Sequence, residues 1–301
     1  METAYIKPAL TISDIIERLK RNGLIIANET EALRKLGIVS YFRIAAYLRP
    51  MEYDKTCHCF KPGSTLENAF ALYEFDTSLR LLLFAAIQEI EIALRTKVIQ
   101  HFSLLYGAFW FMDVRLSVNE RLFSQNLAAI DRELERSRVD FIKEHFNRYS
   151  KPAFPPAWKT LEVVSLGTLS KLYYNFSNKK TKKSIAHEFN LPNHEMLESW
   201  MRSIAALRNC CAHHSRIWNN CFSSTPQLKG KVRGSWIRYT AIDANRLYAV
   251  LCCIAYLLDA INGKARFVTN LKQLIATYPM VDVKAMGFPM DWVNEPLWQS
   301  P

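Results

Sequence analysis

Glycine is scarce in this chain, with nine residues in 301. Beta sandwiches, barrels and glycine-looped α/β folds draw on glycine for turns of positive φ, so the shortage weighs against all three. None of the nine forms G-x-G-x-x-G or G-x-x-x-x-G-K, which removes the usual dinucleotide and P-loop phosphate cradles. Long apolar runs are missing too. The longest, between Arg246 and Asp259, has 12 residues, too few to span a bilayer, and residues 81–94 are interrupted by Gln88, Glu89 and Glu91. The opening Met1-Glu2-Thr3-Ala4-Tyr5 is neither basic nor followed by an apolar core, so no secretory leader is expected. Seven cysteines without a C-x-x-C pair predict free thiols in a reduced, cytoplasmic protein that does not enter a membrane.

What is present has an ordinary globular balance, 50% apolar and 22% charged residues. The formal net charge of +11 suits a phosphate-bearing partner or a basic soluble surface. Helical periodicity and caps recur along the chain. Short helices are predicted from Thr11 or Ser13 to Asn22, from Asn28 to Gly37 and over 38–48, then a loop or small hairpin over 51–63. Ser64-Thr65-Leu66-Glu67 reads as a capping box opening a helix to about Tyr106, and Ser117-x-x-Glu120 as another whose helix reaches as far as Tyr149. Lys151-Pro152-Ala153-Phe154-Pro155-Pro156 breaks the pattern. Further helices are predicted over 158–176, 179–189, 194–214, 241–262 and 267–278. The fold expected is all-α, a helical bundle, divided into an N-terminal helical accessory region (1–60), a core (61–264) and a short helix with a C-terminal tail (265–301).

Between Glu198 and Asp243 stand 44 residues without a carboxylate. They hold Arg202, Arg208, Arg216, Lys229, Lys231, Arg233 and Arg238, with His213 and His214. A one-signed block raises the local potential and attracts polyanions; the bland alternative is a basic loop solvated at the surface. Inside it lies Arg208-Asn209-Cys210-Cys211-Ala212-His213. On a helix Asn209 and His213 share a face, and Arg208, one step around, can reach the same pocket with its long side chain. Histidine moves protons near neutral pH, arginine forks onto phosphate oxygens, and asparagine orients a ring or a substrate. These are the parts of a metal-free phosphodiester-cleaving site. Arg-x-x-x-x-His arises by chance in roughly one such chain in three, but adding the asparagine lowers that to about one in a hundred. The alternative is a core helix whose polar residues merely cap or pair.

Arg208-Asn209-x-x-x-His213 resembles the R-N-x-x-x-H signature of the HEPN superfamily of ribonucleases, and the wider string from Arg208 to Asn219 resembles the motif region of the abortive-infection family typified by AbiD and AbiF. Lys7-Pro8-Ala9-Leu10-Thr11 with Tyr41-Phe42-Arg43 is similar to that family's start, and Phe75-Asp76-x-x-Leu79-Arg80 followed by Glu91-x-x-x-Arg95 to its central helix. Met286-Gly287-Phe288-Pro289, Asp291-Trp292 and Leu297-Trp298 resemble its tail. The resemblance implies a HEPN-like bundle that pairs with a second copy, since one motif per chain needs a homodimer to make a composite site. It implies metal-independent RNA cleavage with no cofactor. His213 would act as general acid or base, Arg208 would stabilise the phosphorane charge and Asn209 would position them. His214 and Arg216 are candidate helpers, and Arg202, Lys229, Lys231 and Arg233 candidate substrate contacts. It also implies a phage-defence toxin restrained by an antitoxin, a small RNA or a protein. A non-catalytic HEPN-type RNA-binding regulatory protein is the alternative.

Three other features have a structural and a functional reading. Asp76, Arg80, Glu91 and Arg95 fall on one arc of a helix and pair at i,i+4, either to hold the motif helix or to touch substrate. Tyr173, Tyr174 and Phe176 before Lys179-Lys180-Thr181-Lys182-Lys183 could stack bases; core rings followed by solvated lysines are favoured. Cys57-His58-Cys59 lacks the chelate spacing of a zinc knuckle, so no metal is expected, and Cys210 with His214 is a weak thiol-hydrolase pair.

Overall fold

Short polar side chains set where the helices begin. The computed structural model describes residues 8–230 and 232–299; Lys7 and Lys231 lie outside them. Thr11 and Asp14 form a reciprocal capping box on α1 (Ile12–Arg21), and Asn28 caps α2 (Glu29–Ile38). After α3 (Tyr41–Leu48) comes a two-stranded antiparallel hairpin, β1 (Glu52–Asp54) and β2 (Cys59–Phe60). Next is α4 (Leu66–Tyr106), then α5 (Glu120–Arg136), α6 (Asp140–Arg148), α7 (Ala157–Val163), α8 (Leu166–Asn175), α9 (Lys179–Glu188), α10 (His194–Ala212), α11 (Leu247–Ile261) and α12 (Ala265–Thr277). The fold is all-α apart from the hairpin. Among the described residues no helix is long and apolar enough to cross a membrane.

Several predicted boundaries move, each for a chemical reason. At α4 the cap is Thr65, whose hydroxyl accepts from the Asn68 N–H (3.0 Å); Glu67 accepts instead from the Ala27 N–H (3.1 Å). At α5 the cap is Asn119 (2.8 Å to the Leu122 N–H), while the Ser117 hydroxyl donates to the Val114 carbonyl. The helix predicted over 158–176 is two, because Val164 is extended and Ser165 caps α8. Glu133 of α5 makes that break stable, accepting from the Ser165 N–H (2.5 Å) and the Thr168 hydroxyl (2.5 Å). Cys57 and Cys59, expected as free thiols, are bonded to each other; the other five cysteines are not in disulfides.

The chain divides into two compact units, the first running to Leu79 and including Leu274–Val281, the second made of Arg80–Gln273 and the residues from Asp282 onward. In the first, Ile16, Ile44, Leu48 and Phe75 are buried, and the Ile25 N–H and carbonyl bond to the backbone of Ser64 and Leu66. Asp76 is fully buried and accepts a 2.7 Å bond from the Tyr47 hydroxyl. In the second unit α11 is buried at every position from Leu247 to Leu258, so it is the central helix, apolar on all sides. The tail closes over it: the Trp298 indole donates to the Tyr248 hydroxyl (2.9 Å), and Phe288 and Trp292 pack edge to face. Gly287 allows this, since at φ 88° a Cβ would lie 2.5 Å from the Arg246 Cβ.

Candidate functional site

Helix α10 carries the Arg208 to His213 motif, and its sequence explains where it starts and stops. Asn193 caps it by accepting from the Met196 N–H (2.8 Å). At the far end His214 adopts a left-handed φ of 55°. Its N–H bonds to the Cys211 carbonyl (3.1 Å), and the Ser215 N–H reaches back to the Cys210 carbonyl (2.9 Å). This is a Schellman closure with histidine in the position glycine usually fills, at a cost of roughly 1–2 kcal/mol. His213 is the cap residue itself, one place past the helix and exposed; its N–H bonds to the Asn209 carbonyl (2.9 Å). The turn is held from α4, where the buried Arg80 donates to the Ser215 carbonyl (3.3 Å).

The motif side chains fan out around the helix. Arg208 lines a cleft of about 280 Å³ between α4 and α10, with Phe84, Gln88, Glu91 and Arg95. Its guanidinium carbon lies 5.6 Å from the centroid of the Phe84 ring, a cation–π contact, and its Nε is shielded from solvent without a hydrogen-bond partner. Glu91 and Arg95 form a 2.7 Å ion pair, and Arg95 also donates to the Val164 carbonyl (2.8 Å). Asn209, about 100° further round, lines a different cleft of about 450 Å³ between α8 and α10, with Ser170, Lys171, Tyr174, Arg202 and Ser224. Within one chain Arg208 and Asn209 therefore line different clefts.

The carboxylate-free segment has no regular structure after the motif, yet it is pinned. The Gln227 N–H bonds to the Ser199 hydroxyl (2.7 Å), the Trp200 indole donates to the Gln227 carbonyl (2.8 Å), and Trp236 stacks on Trp200. The Tyr256 hydroxyl donates to the Arg233 carbonyl (2.7 Å). Glu295, from the tail, accepts from the N–H groups of Arg238 (2.5 Å) and Tyr239 (3.0 Å), bringing a carboxylate to a stretch that has none. These bonds use backbone groups and leave the side chains of Lys229 and Arg233 exposed, as is that of Arg202 on α10. Arg216 is half-buried and donates to the Asn219 carbonyl (3.3 Å). Burial pushes the Cys210 thiol up, the wrong direction for a thiolate nucleophile. Among the described residues no three His, Cys, Asp or Glu side chains are grouped to hold a metal ion.

A comparison with protein families covers this region. A family model described as Abi-like protein matches residues 34–219, more than half of the chain and including the whole motif. The chain belongs to the Abi-like protein family. No curated protein and no solved structure matches it.

In this Abi-like protein the aromatic and lysine stretch differs from its favoured reading. Tyr173 and Phe176 are core, but Tyr174 is exposed. Lys179, Lys180 and Lys183 are solvated, whereas Lys182 is buried, pairs with Glu198 (2.6 Å) and donates to the Tyr174 carbonyl (3.0 Å). Sequence reasoning did not single out Phe84, Ser170, Lys171 or Ser224 as site residues. A signal existed for the α8 pair: Gly167, Ser170, Lys171 and Tyr174 recur at i, i+3, i+4 and i+7, one face of a helix.

Proposed function

We propose that this protein is a metal-independent endoribonuclease of the HEPN superfamily, of the AbiD/AbiF type, acting in the cytoplasm as an abortive-infection toxin against phage. The observation that carries this reading is the Arg208-Asn209-x-x-x-His213 array at the exposed end of α10, inside the segment matched by the family model. The 2′-OH of the RNA attacks the adjacent phosphorus, leaving a 2′,3′-cyclic phosphate and a 5′-OH. His213 removes or delivers the proton, Arg208 takes up the phosphorane charge, and Asn209 positions the reacting groups. Arg208 has an Nε with no hydrogen-bond partner among the described residues and lines the α4/α10 cleft, and a guanidinium forks onto phosphate oxygens. His214, Arg216, Arg202, Lys229, Lys231 and Arg233 supply further contacts for the RNA backbone.

In-line cleavage needs one proton removed and one delivered, which two imidazoles divide better than one. Arg208 and Asn209 line separate clefts in a single chain, and a symmetric second copy would bring the complementary set. The toxin is held in check by an antitoxin, a small RNA or a protein. Labelled RNA incubated with purified protein in EDTA tests the reading: wild type cleaves, and His213→Ala does not. The separate clefts also suit a non-catalytic RNA-binding regulator, for which both proteins would bind RNA and neither would cut. Light scattering at micromolar concentration should give roughly twice the 34.9 kDa of the chain, and a mixed dimer with one His213→Ala chain should lose most activity. A strictly monomeric protein that still cleaves would overturn the composite site.

A further inference from the structure

The α8/α10 cleft is shaped by two matched helix faces. From α8 come Gly167, Ser170, Lys171 and Tyr174, and from α10 Arg202, Ala205, Ala206 and Asn209, each at i, i+3, i+4, i+7 spacing. Small residues on both helices leave the space, about 450 Å³, within the range of small-molecule clefts. The chemistry of the walls is uneven. Lys171 and Arg202 are exposed cations, and neither has a carboxylate partner among the described residues. Tyr174 is 53% exposed, and among the described residues its ring stacks on no other ring. Ser170 is 6% exposed and lines the cleft, and the Ser224 hydroxyl is shielded from solvent with no hydrogen-bond partner among the described residues. Glu198, also in the wall, is neutralised by Lys182.

The shielded, unpaired hydroxyl of Ser224 needs a hydrogen-bonding partner, which a lipid tail would not provide. A free aromatic face beside two free cations suits a planar ring bearing a phosphate. We propose that this cleft binds one nucleotide of single-stranded RNA, the base stacked on Tyr174, its edge bonded to the hydroxyls of Ser170 and Ser224, and the phosphate held by Lys171 and Arg202. Asn209 belongs both to the motif and to this wall, so the nucleotide lies next to the linkage that is cut. The site thus selects RNA with an unpaired base beside the cleavage point, since a base held in a duplex cannot enter. This deepens the ribonuclease reading and rests on it.

The probe is a fluorescein-labelled oligoribonucleotide of eight residues, 2′-O-methylated throughout so that no 2′-OH can attack, followed by anisotropy. Tyr174→Ala should weaken binding by about 5- to 150-fold, and Tyr174→Phe, which keeps the ring, should recover most of it. Lys171→Ala and Arg202→Ala should each lower the slope of log affinity against log salt by about 0.7, a change that partial unfolding would not produce. In unmodified RNA the Tyr174→Ala loss should appear in kcat/KM by the same factor. If the oligonucleotide binds wild type and variants alike while unmodified RNA is still cut, the cleft is not a nucleotide site and the ribonuclease reading stands. If the variants bind more weakly but no RNA is ever cut, the nucleotide site stands and the ribonuclease reading falls. Wild type that does not bind the oligonucleotide overturns the proposal.

Discussion

The two sides of α10 are built on one plan with one difference. Each has a buried ion pair at its back, Glu91 with Arg95 toward α4 and Glu198 with Lys182 toward α8. On the α4 side Arg95 also bonds the Val164 carbonyl, and Arg208 lies over Phe84 with its Nε unpartnered among the described residues. On the α8 side two further cations, Lys171 and Arg202, stand at the rim without ion-pair partners among the described residues. The paired charges fix geometry, because a buried charge without a counter-charge is too costly to keep. The unpaired ones contribute little to folding and are free to meet a phosphate. Net charge alone does not separate these roles; the pairing of each cation does.

The largest effect expected is on cleavage. His213→Ala should lower the single-turnover rate by about 10²–10⁴-fold, the usual contribution of a general acid or base. Expression of wild type should slow growth, and folded Arg208→Ala should relieve it; equal toxicity would detach the effect from the motif. Next in size is loss of either buried pair. Arg95→Ala should cost about 3–5 kcal/mol by leaving Glu91 uncompensated, and Lys182→Met should do the same to Glu198. Adding Glu198→Gln to Lys182→Met should recover much of the loss in urea unfolding. No recovery would show that Lys182 acts through packing on the Tyr173 ring, 5.7 Å from its ammonium, rather than through charge.

Much of this arrangement was legible in the sequence. The cap Asn28, the starts of α9 and α10 at Lys179 and His194, and the apolar run of α11 were read from residues within or next to those helices. Thr65 and Asn119 displaced neighbouring serines in that role, a choice made by local geometry. The break between α7 and α8 was not readable, because Glu133, which satisfies it, is 32 residues away. Motif spacing put Arg208, Asn209 and His213 together, but 100° per residue turns Arg208 and Asn209 toward different neighbours. The α8/α10 cleft was hidden because the small residues that create it become a cleft only once two distant segments pack.

A smaller effect concerns pH and belongs to the α8 side. His194, at the start of α10, is buried near the Lys182 and Glu198 pair, and that burial holds its pKa below the usual 6.5, outweighing the carboxylates of Glu195 and Glu198; Lys182 and Lys179 also lower it. The folded state therefore favours neutral histidine. Stability is full above about pH 6.5 and declines as pH falls from there toward the folded pKa, since the unfolded chain binds the proton first. His145, buried on α6 and lowered by the same cause, adds to the decline. Urea midpoints at pH 7.5 and 5.5 should differ less for His194→Gln than for wild type; an unchanged difference would exclude His194 as a source.

The smallest effect is the sharpest test of the comparison. Lys171→Ala and Arg202→Ala should each change stability by no more than about 0.5 kcal/mol, because each removes an exposed side chain with no ion pair among the described residues. The same cations should nevertheless respond to an anion. An ion bound only by the folded state stabilises by RT ln(1 + [L]/Kd), about 1 kcal/mol at five times Kd. Sulfate also stabilises proteins without a site, through exclusion from their surfaces, so the informative quantity is the gain of wild type over the double variant. Thermal midpoints in rising sodium sulfate, against sodium chloride at equal ionic strength, should climb further for wild type. Parallel curves would mean that the rim cations are merely solvated, and the two sides of α10 would then differ in charge count but not in function.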